Sequence, residues 1–586
     1  MGTISDKLMR IINTKEDIRQ ALISKGYDVP TSIPFKEYAK MILDLPCKVD
    51  SFPDIEGIVA RYSASGLTNE QMAANPVWVD KTGNGHDLQM KNFFWGGMSG
   101  VGGYVQDFNY FKNNATVDKI RIDEQNSNSI KVTILTTGIN NAIYISKNIY
   151  QFNKSYSIKI SSEGYNEGDL SLSFYASSVS TATTVKVPLN PNGITEIPAI
   201  KEDDFLAVYL NVGGKVGSIT IEQLPLYPGA LVFDGVDDYG VCDNFPILTK
   251  EKGYTVVALR QWIARGEGAL GLVSNVKNWL NNGAFLLEYR NIQADHLNKP
   301  ISFGAIGSEM DLPHILTYQT SKSYNGVPIT TGNFEGTDVL HVGKLAPTNV
   351  GTCINAAIWE IVILDHDATE EELTKIKDYF VKTYPWLFPD QAWTVVGKTN
   401  EDEDRATIAN ITGNGNDLVL SNFGFIEGSG YNEEGQHAGY LVTDGVDDMI
   451  TSSAFQMGKD FTIVGDWKFI DNKKSGTGLV KGSSFYIYNT MIGLDLYINS
   501  GSVKNSLDGI KSINAACSDG RAYDRNWNEI LANTGNVVGS GGMLEVSSSG
   551  GRFDRIAFKN LAIYPRILSK DDCIKAYNYL QTLKSK

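Results

Sequence analysis

Between Lys119 and Glu222 apolar and polar residues alternate in short runs: Lys119-Ile-Arg-Ile-Asp, Ser129-Ile-Lys-Val-Thr-Ile, Tyr156-Ser-Ile-Lys-Ile, Leu170-Ser-Leu-Ser-Phe and Ser218-Ile-Thr-Ile-Glu. A period of two, broken by turn residues, predicts half-buried antiparallel strands. Two other stretches switch period. Apolar strands from Ile358 to Leu364 and from Phe558 to Tyr564 run into Thr369-Glu-Glu-Glu372 and Ser569-Lys-Asp-Asp572. Each is a capping box or its Asp variant, in which a hydroxyl accepts from an orphan amide and a carboxylate reaches back. Leu373, Ile376 and Phe380, and again Cys573, Ala576 and Leu580, then follow at i, i+3, i+7, which predicts a short amphipathic helix after each strand. The first 48 residues are different again. Asn13 with Glu16 caps a stripe of Ile18, Ala21 and Leu22, and Pro34 opens a second stripe of Phe35, Ala39, Ile42 and Leu43. Two short helices cannot bury a core alone, so their apolar faces need a partner.

The pattern repeats. Thr82-Gly-Asn-Gly-His-Asp-Leu88 recurs as Thr412-Gly-Asn-Gly-Asn-Asp-Leu418, at an offset of 330 residues. Asp234-Gly-Val-Asp-Asp238 recurs as Asp444-Gly-Val-Asp-Asp448 at an offset of 210, and Ile361–Tyr379 matches Leu561–Tyr579 at 200. Three blocks in one order mean two copies of one module. The drop between the first two offsets places about 120 extra residues in copy one, too many for a structureless loop. The expected organisation is a helical leader over 1–48, for docking or oligomerisation. A first sandwich then covers 49–103 plus 229–387, an inserted β-sandwich 104–228, and a second sandwich 388–586.

Composition narrows this further. The 57 glycines and 10% aromatics favour many strands joined by tight turns. A net charge of −15 sets the chain against nucleic acid. No apolar stretch reaches the 18 or so residues that span a membrane, and the N-terminus lacks the apolar segment of a signal peptide. Five cysteines, odd in number and widely spaced, give neither zinc spacing nor a disulfide framework.

LVFDGVDDYG and YLVTDGVDDM, each with an upstream TGNG(H/N)DL and a downstream strand and capped helix, resemble the laminin-G-like and concanavalin A-like lectin modules. The leader (INTKEDIRQALISKGYDVP…PFKEYAKMI) resembles that of virion structural proteins of tailed phages that infect gut bacteria. The resemblance implies a mainly β fold: two jelly-roll sandwiches, a β-sandwich inserted in the first, and a short α-helical leader. It also implies a head-fibre, tail-fibre or decoration subunit, a homotrimer, located in the virion after assembly in the host cytoplasm. Its partners would be other virion proteins through residues 1–48 and host-surface or mucosal glycans.

Candidate chemistry is sparse. Asp234, Asp237 and Asp238, with Asp444, Asp447 and Asp448, offer clustered carboxylates that suit calcium, a cation wanting six to eight oxygens. Asp-Gly hairpin turns, whose carboxylates bond local amides, account for the same residues, so no cofactor is required. Sugar binding would use ring faces beside amides and carboxylates, and Trp95, Trp279, Tyr324 with Asn325, Tyr523 with Asp524, and Trp527 lie on turn-rich stretches. Sandwich-fold glucanases carry a one-strand E-x-D-x-x-E run, absent here, and no histidine pair has ligand spacing. The expectation is a non-enzymatic virion protein displaying lectin-like domains. The alternatives are a free-standing carbohydrate-binding adhesin and a glycan-degrading enzyme.

Overall fold

The computed structural model describes Lys15 and residues 52–585, apart from 177–184, 201–204, 250, 265–270, 276–285, 289–314, 329–336, 346–352, 434–436, 471–477, 482–484, 490–492, 499–503, 509–512, 532–539, 547, 550–551 and 554. The leader helices expected over 1–48 lie outside the described residues, save Lys15, which is helical. Residues 1–54 and 55–586 form separate compact units.

The fold of the second unit is mainly β, built from antiparallel sheets that face each other across apolar cores. In one pair, an eight-stranded sheet is centred on the long strand Asn355–Leu364, which lies between Thr255–Ala264 and both Leu231–Asp234 and Ile58–Ser63. The facing sheet has Leu340–Val342, Tyr239–Cys242 and Leu88–Lys91 in consecutive order. Side chains of both sheets, among them Trp78, Leu88, Phe233, Val256, Leu340, Val342 and Ile358, share one core. A second core running from Val105 to Ile221 lies between two five-stranded sheets. Its strand Ser129–Ile134 buries every second residue, as strict alternation requires. A third core, with Trp393, Leu418, Ile450, Ile463, Trp467 and Phe558, belongs to the sheets of residues 391–564.

Strand Asn355–Leu364 is buried along almost its whole length because its two faces are both covered. The core covers one. The other meets helix Glu370–Thr383, whose Ile376, Tyr379 and Phe380 are buried. That helix has the reciprocal cap: Thr369 Oγ1 accepts from the Glu372 amide at 3.3 Å, and the Glu372 carboxylate accepts from the Thr369 amide at 2.8 Å. In the second copy Ser569 Oγ accepts from the Asp572 amide, but the shorter Asp572 side chain accepts from the Ser569 hydroxyl instead. Cys573 of this second helix, Lys570–Leu580, meets Cys517 at the end of strand Ile513–Cys517, 56 positions earlier, in hydrogen-bond contact. No helix among the described residues is long and apolar enough to cross a membrane.

Candidate functional site

The two acidic turns are built alike. Asp238 accepts the Ser99 hydroxyl at 3.0 Å and the Asp234 amide at 3.0 Å, while Asp234 accepts the Val236 amide at 2.7 Å. Asp448 accepts the Ser429 hydroxyl at 3.1 Å and the Asp444 amide at 2.7 Å, and Asp444 accepts the Val446 amide at 2.7 Å. Burial, reinforced by Asp234, pushes the Asp238 carboxyl up to about 7; burial likewise lifts Asp448 to about 6. One oxygen from each of the three aspartates in a cluster comes within 4.8 Å of the others, with Asp237 and Asp447 exposed. In each set the buried carboxylate already accepts two hydrogen bonds, as an acidic turn requires.

The aromatic candidates separate. Trp95 is half-buried at a positive φ of 57°, its ring stacked on Phe93 at 4.7 Å. Trp279 lies outside the described residues. Tyr324 cannot present a ring face to a sugar: it is buried, and its hydroxyl donates to Glu288 Oε1 at 3.0 Å. Glu288 also accepts from Arg260 and, at 2.7 Å, from Trp262 Nε1. Burial would raise the Glu288 carboxyl, but Arg260 overcomes it and holds it low. Asn325 shapes its own turn, its Oδ1 accepting from the Tyr318 amide at 2.8 Å. Tyr523 is also buried away from solvent, and Trp527 is 3% exposed. None of these three rings is an open platform, because all three are buried.

Trp527 nonetheless marks a concavity. It sits in the hairpin tip Asp524-Arg-Asn-Trp-Asn528, at a positive φ of 62°. Asp524 holds the tip, its carboxylate accepting from the amides of Asn526 and Asn528 at 2.8 Å each and from Asn528 Nδ2 at 3.0 Å. The indole packs edge-on against Tyr577 at 5.7 Å. Trp527 thereby forms part of the wall of a cleft of about 470 Å³. One side is Lys159–Ser161, Asn192–Ile194 and Leu224–Pro225, on the sheets of residues 120–223 and the segment after them; the other is the hairpin tip and helix Lys570–Leu580. Ile574, Leu224 and Pro225 give it a half-buried apolar wall, and Asn192, Asn526 and Asn528 line it as exposed amides.

A charged clamp joins the two sides. Glu196 Oε2 accepts the Tyr577 hydroxyl at 2.9 Å and lies 3.6 Å from Arg525. Arg525 reaches Asp466 Oδ1 at 2.8 Å and donates to the Trp467 carbonyl at 3.1 Å. Burial opposes a charge on Asp466, yet Arg525 and Lys559 hold its carboxyl below the usual range. Sequence reasoning picked out Trp527 and Asp524 but missed Asn192, Asn526, Asn528 and the lysines beside them. The polar five-residue hairpin tip was the readable sign; nothing local could place the opposite wall, which comes from residues more than 300 positions away.

Comparison with family models and with curated proteins gives no match. Among solved structures, the chain is similar to Trypanosoma rangeli sialidase in complex with sialic acid, at 10% identity and a TM-score of 0.25, over 82% of this chain and 97% of the other. It is also similar to the Botulinum neurotoxin serotype D binding domain (10% identity, TM-score 0.22, 59% and 89%). A third is the CBM22-1-CBM22-2 tandem domain of Paenibacillus barcinonensis Xyn10C (10%, 0.15, 47% and 93%). At such scores no residue inherits a role. Nothing in these comparisons indicates a phage origin or a fibre.

The expectation of a non-enzymatic chain is corrected here, since sialidases, which are enzymes, head the similar structures. Its premise was too narrow. A missing one-strand E-x-D-x-x-E run speaks to a single catalytic arrangement, whereas this fold brings carboxylates to distant partners, Glu288 to Tyr324 across 36 positions and Glu360 to Arg61 across 299.

Proposed function

We propose that this chain binds carbohydrate in the cleft between Asn192 and Asn526, and that residues 1–48 carry it, as a homo-oligomer, on a particle such as a virion. The observation that carries the first half is the cleft itself. Exposed asparagine amides both donate and accept, as sugar hydroxyls require, and they stand beside an apolar wall that packs on sugar C–H faces. Its size falls within the range of small-molecule sites. Titration calorimetry of the full chain with tetrasaccharides tests it: Asn526→Ala with Asn528→Ala should weaken binding about tenfold, by the loss of about 1.4 kcal/mol. Unchanged affinity in the double variant refutes the site.

The second half rests on the leader's two apolar stripes, which need a covering partner, and on the leader's resemblance to tailed-phage virion proteins. Light scattering of the full chain beside 49–586 decides it. A trimeric mass that collapses on truncation supports oligomerisation through the leader; a monomer in both removes that role.

A further inference from the structure

The cleft has a charge opposite to that of the chain. Of its lining residues Lys159, Lys570 and Lys575 are cationic and Asp571 alone is anionic, in a protein of net charge −15. Three other acids near the cleft are already occupied, Glu196 by Tyr577 and Arg525, Asp524 by its own hairpin tip, and Asp572 by Ser569 and, at 3.4 Å, Lys575, while Asp571 stays exposed next to Lys570. Lys575 is spent in part, lying over the Trp386 ring at 4.3 Å. Lys159 and Lys570 are exposed, and no ion pair to either is found among the described residues, although Glu222 stands opposite Lys159 in the strand register. Asn192 Oδ1 accepts from the Ser162 amide at 2.9 Å, which leaves its Nδ2 to donate. The cleft therefore offers two exposed ammonium groups on opposite walls against the single carboxylate of Asp571.

We infer that the cleft selects an anionic saccharide, one bearing a carboxylate or a sulfate ester, held between Lys159 and Lys570 with Asn526 and Asn192 on its hydroxyls. This inference rests on the cleft being a saccharide site. A neutral sugar would satisfy the asparagines but leave both ammonium groups unused. An acidic one pairs with them in a partly desolvated groove, where a charge-assisted hydrogen bond is worth more than on open surface. The flexible lysine stems impose no bidentate geometry, so charge rather than the shape of the anion is selected.

Calorimetry of the full chain with three size-matched probes decides it: a neutral galactotetraose, a tetragalacturonate and a sulfated galactotetraose. The expected result is that one or both acidic probes bind at least about tenfold more tightly than the neutral one, weakening as salt rises. Which acidic probe binds distinguishes carboxylate from sulfate recognition. Lys159→Gln with Lys570→Gln should remove that preference and flatten the salt dependence; both residues are exposed, so circular dichroism and melting should not change. Neutral and acidic probes binding equally, with Asn526→Ala still weakening both, overturns the charge selection and leaves the saccharide site standing. An acidic preference that survives the lysine substitutions also overturns it. No binding of any probe overturns both readings.

Discussion

Arg61 and Glu360 form an ion pair under helix Glu370–Thr383, with side chains 5% and 0% exposed. Glu360 accepts from Arg61 Nε at 3.1 Å and Nη2 at 3.3 Å, from Tyr379 at 3.2 Å and from Tyr384 at 3.0 Å, while Arg61 also donates to the Tyr379 hydroxyl at 2.8 Å. Glu360→Gln keeps the shape and leaves the guanidinium buried without a counter-charge. Breaking such a pair from one side costs about 3–5 kcal/mol. Arg61→Met should cost less, because the orphaned Glu360 can take up a proton and an arginine cannot lose one; burial already raises the Glu360 carboxyl even with Arg61 beside it. The double variant should cost at least about 2 kcal/mol less than the sum of the singles. Several cores share the chain, so a single unfolding free energy is ill defined. Amide exchange of the paired strands Ile58–Ser63 and Asn355–Leu364 reads the local cost instead. Glu360→Gln within about 1 kcal/mol of the parent, or strict additivity, refutes the argument.

Four further outcomes are expected. His341 is 1% exposed with neither ring nitrogen hydrogen-bonded, and burial lowers it to about 4. The unfolded chain binds that proton near pH 6.5 and the folded chain does not until about 4, so stability falls as pH drops through this window, by about 3 kcal/mol in all; melting of His341→Leu against pH should lack that loss. Glu196→Ala, at a half-exposed clamp, should cost only about 1 kcal/mol but raise amide exchange in the 524–528 tip, and unchanged exchange there would refute its clamping role. Gly343→Ala should lower the local stability of strands Leu340–Val342 and Leu231–Asp234 by at least about 2 kcal/mol in amide exchange, since its φ is +83° and a Cβ would stand 2.6 Å from the Phe233 ring. Calcium should bind the acidic turns no more tightly than millimolar, by calorimetry with Asp237→Asn as control; micromolar binding would refute the hydrogen-bonded turn account.

Elements with a local cause were the readable ones. The alternation in Ser129–Ile134 and the Thr369/Glu372 spacing each encode their structure within a few residues, and both appear as expected. The ring candidates were misread because a turn-rich flank says nothing about depth: Tyr523 and Tyr324 close the ends of strand pairs and point inward. Every charge network was invisible for a related reason. Arg260 and Glu360 stand in runs that read as unbroken apolar strands, and a single charge in such a run is meaningful only once its partner is known.

The two copies place buried charge at different points of equivalent sheets, and that difference shapes the cleft. In copy one the central strand holds Glu360; the register puts Asn560 in its place in copy two, paired with Thr394 as Glu360 is with Ser63. Copy two moves its acid one strand over, to Asp466, where the Asn560 carboxamide accepts the Asp466 amide at 3.0 Å. From there Asp466 orients Arg525, which can face Glu196. The Arg61–Glu360 pair has no such outlet, because helix Glu370–Thr383 covers it through Tyr379. Moving one carboxylate by a strand thus turns an internal ion pair into a bridge, and the bridge holds the cleft's two walls in register. On this argument Asp466→Asn should weaken saccharide binding as well as stability, whereas Glu360→Gln should reduce stability alone. Calorimetry of both variants, at a temperature where both remain folded, separates the two roles, and equal effects on binding would refute the distinction.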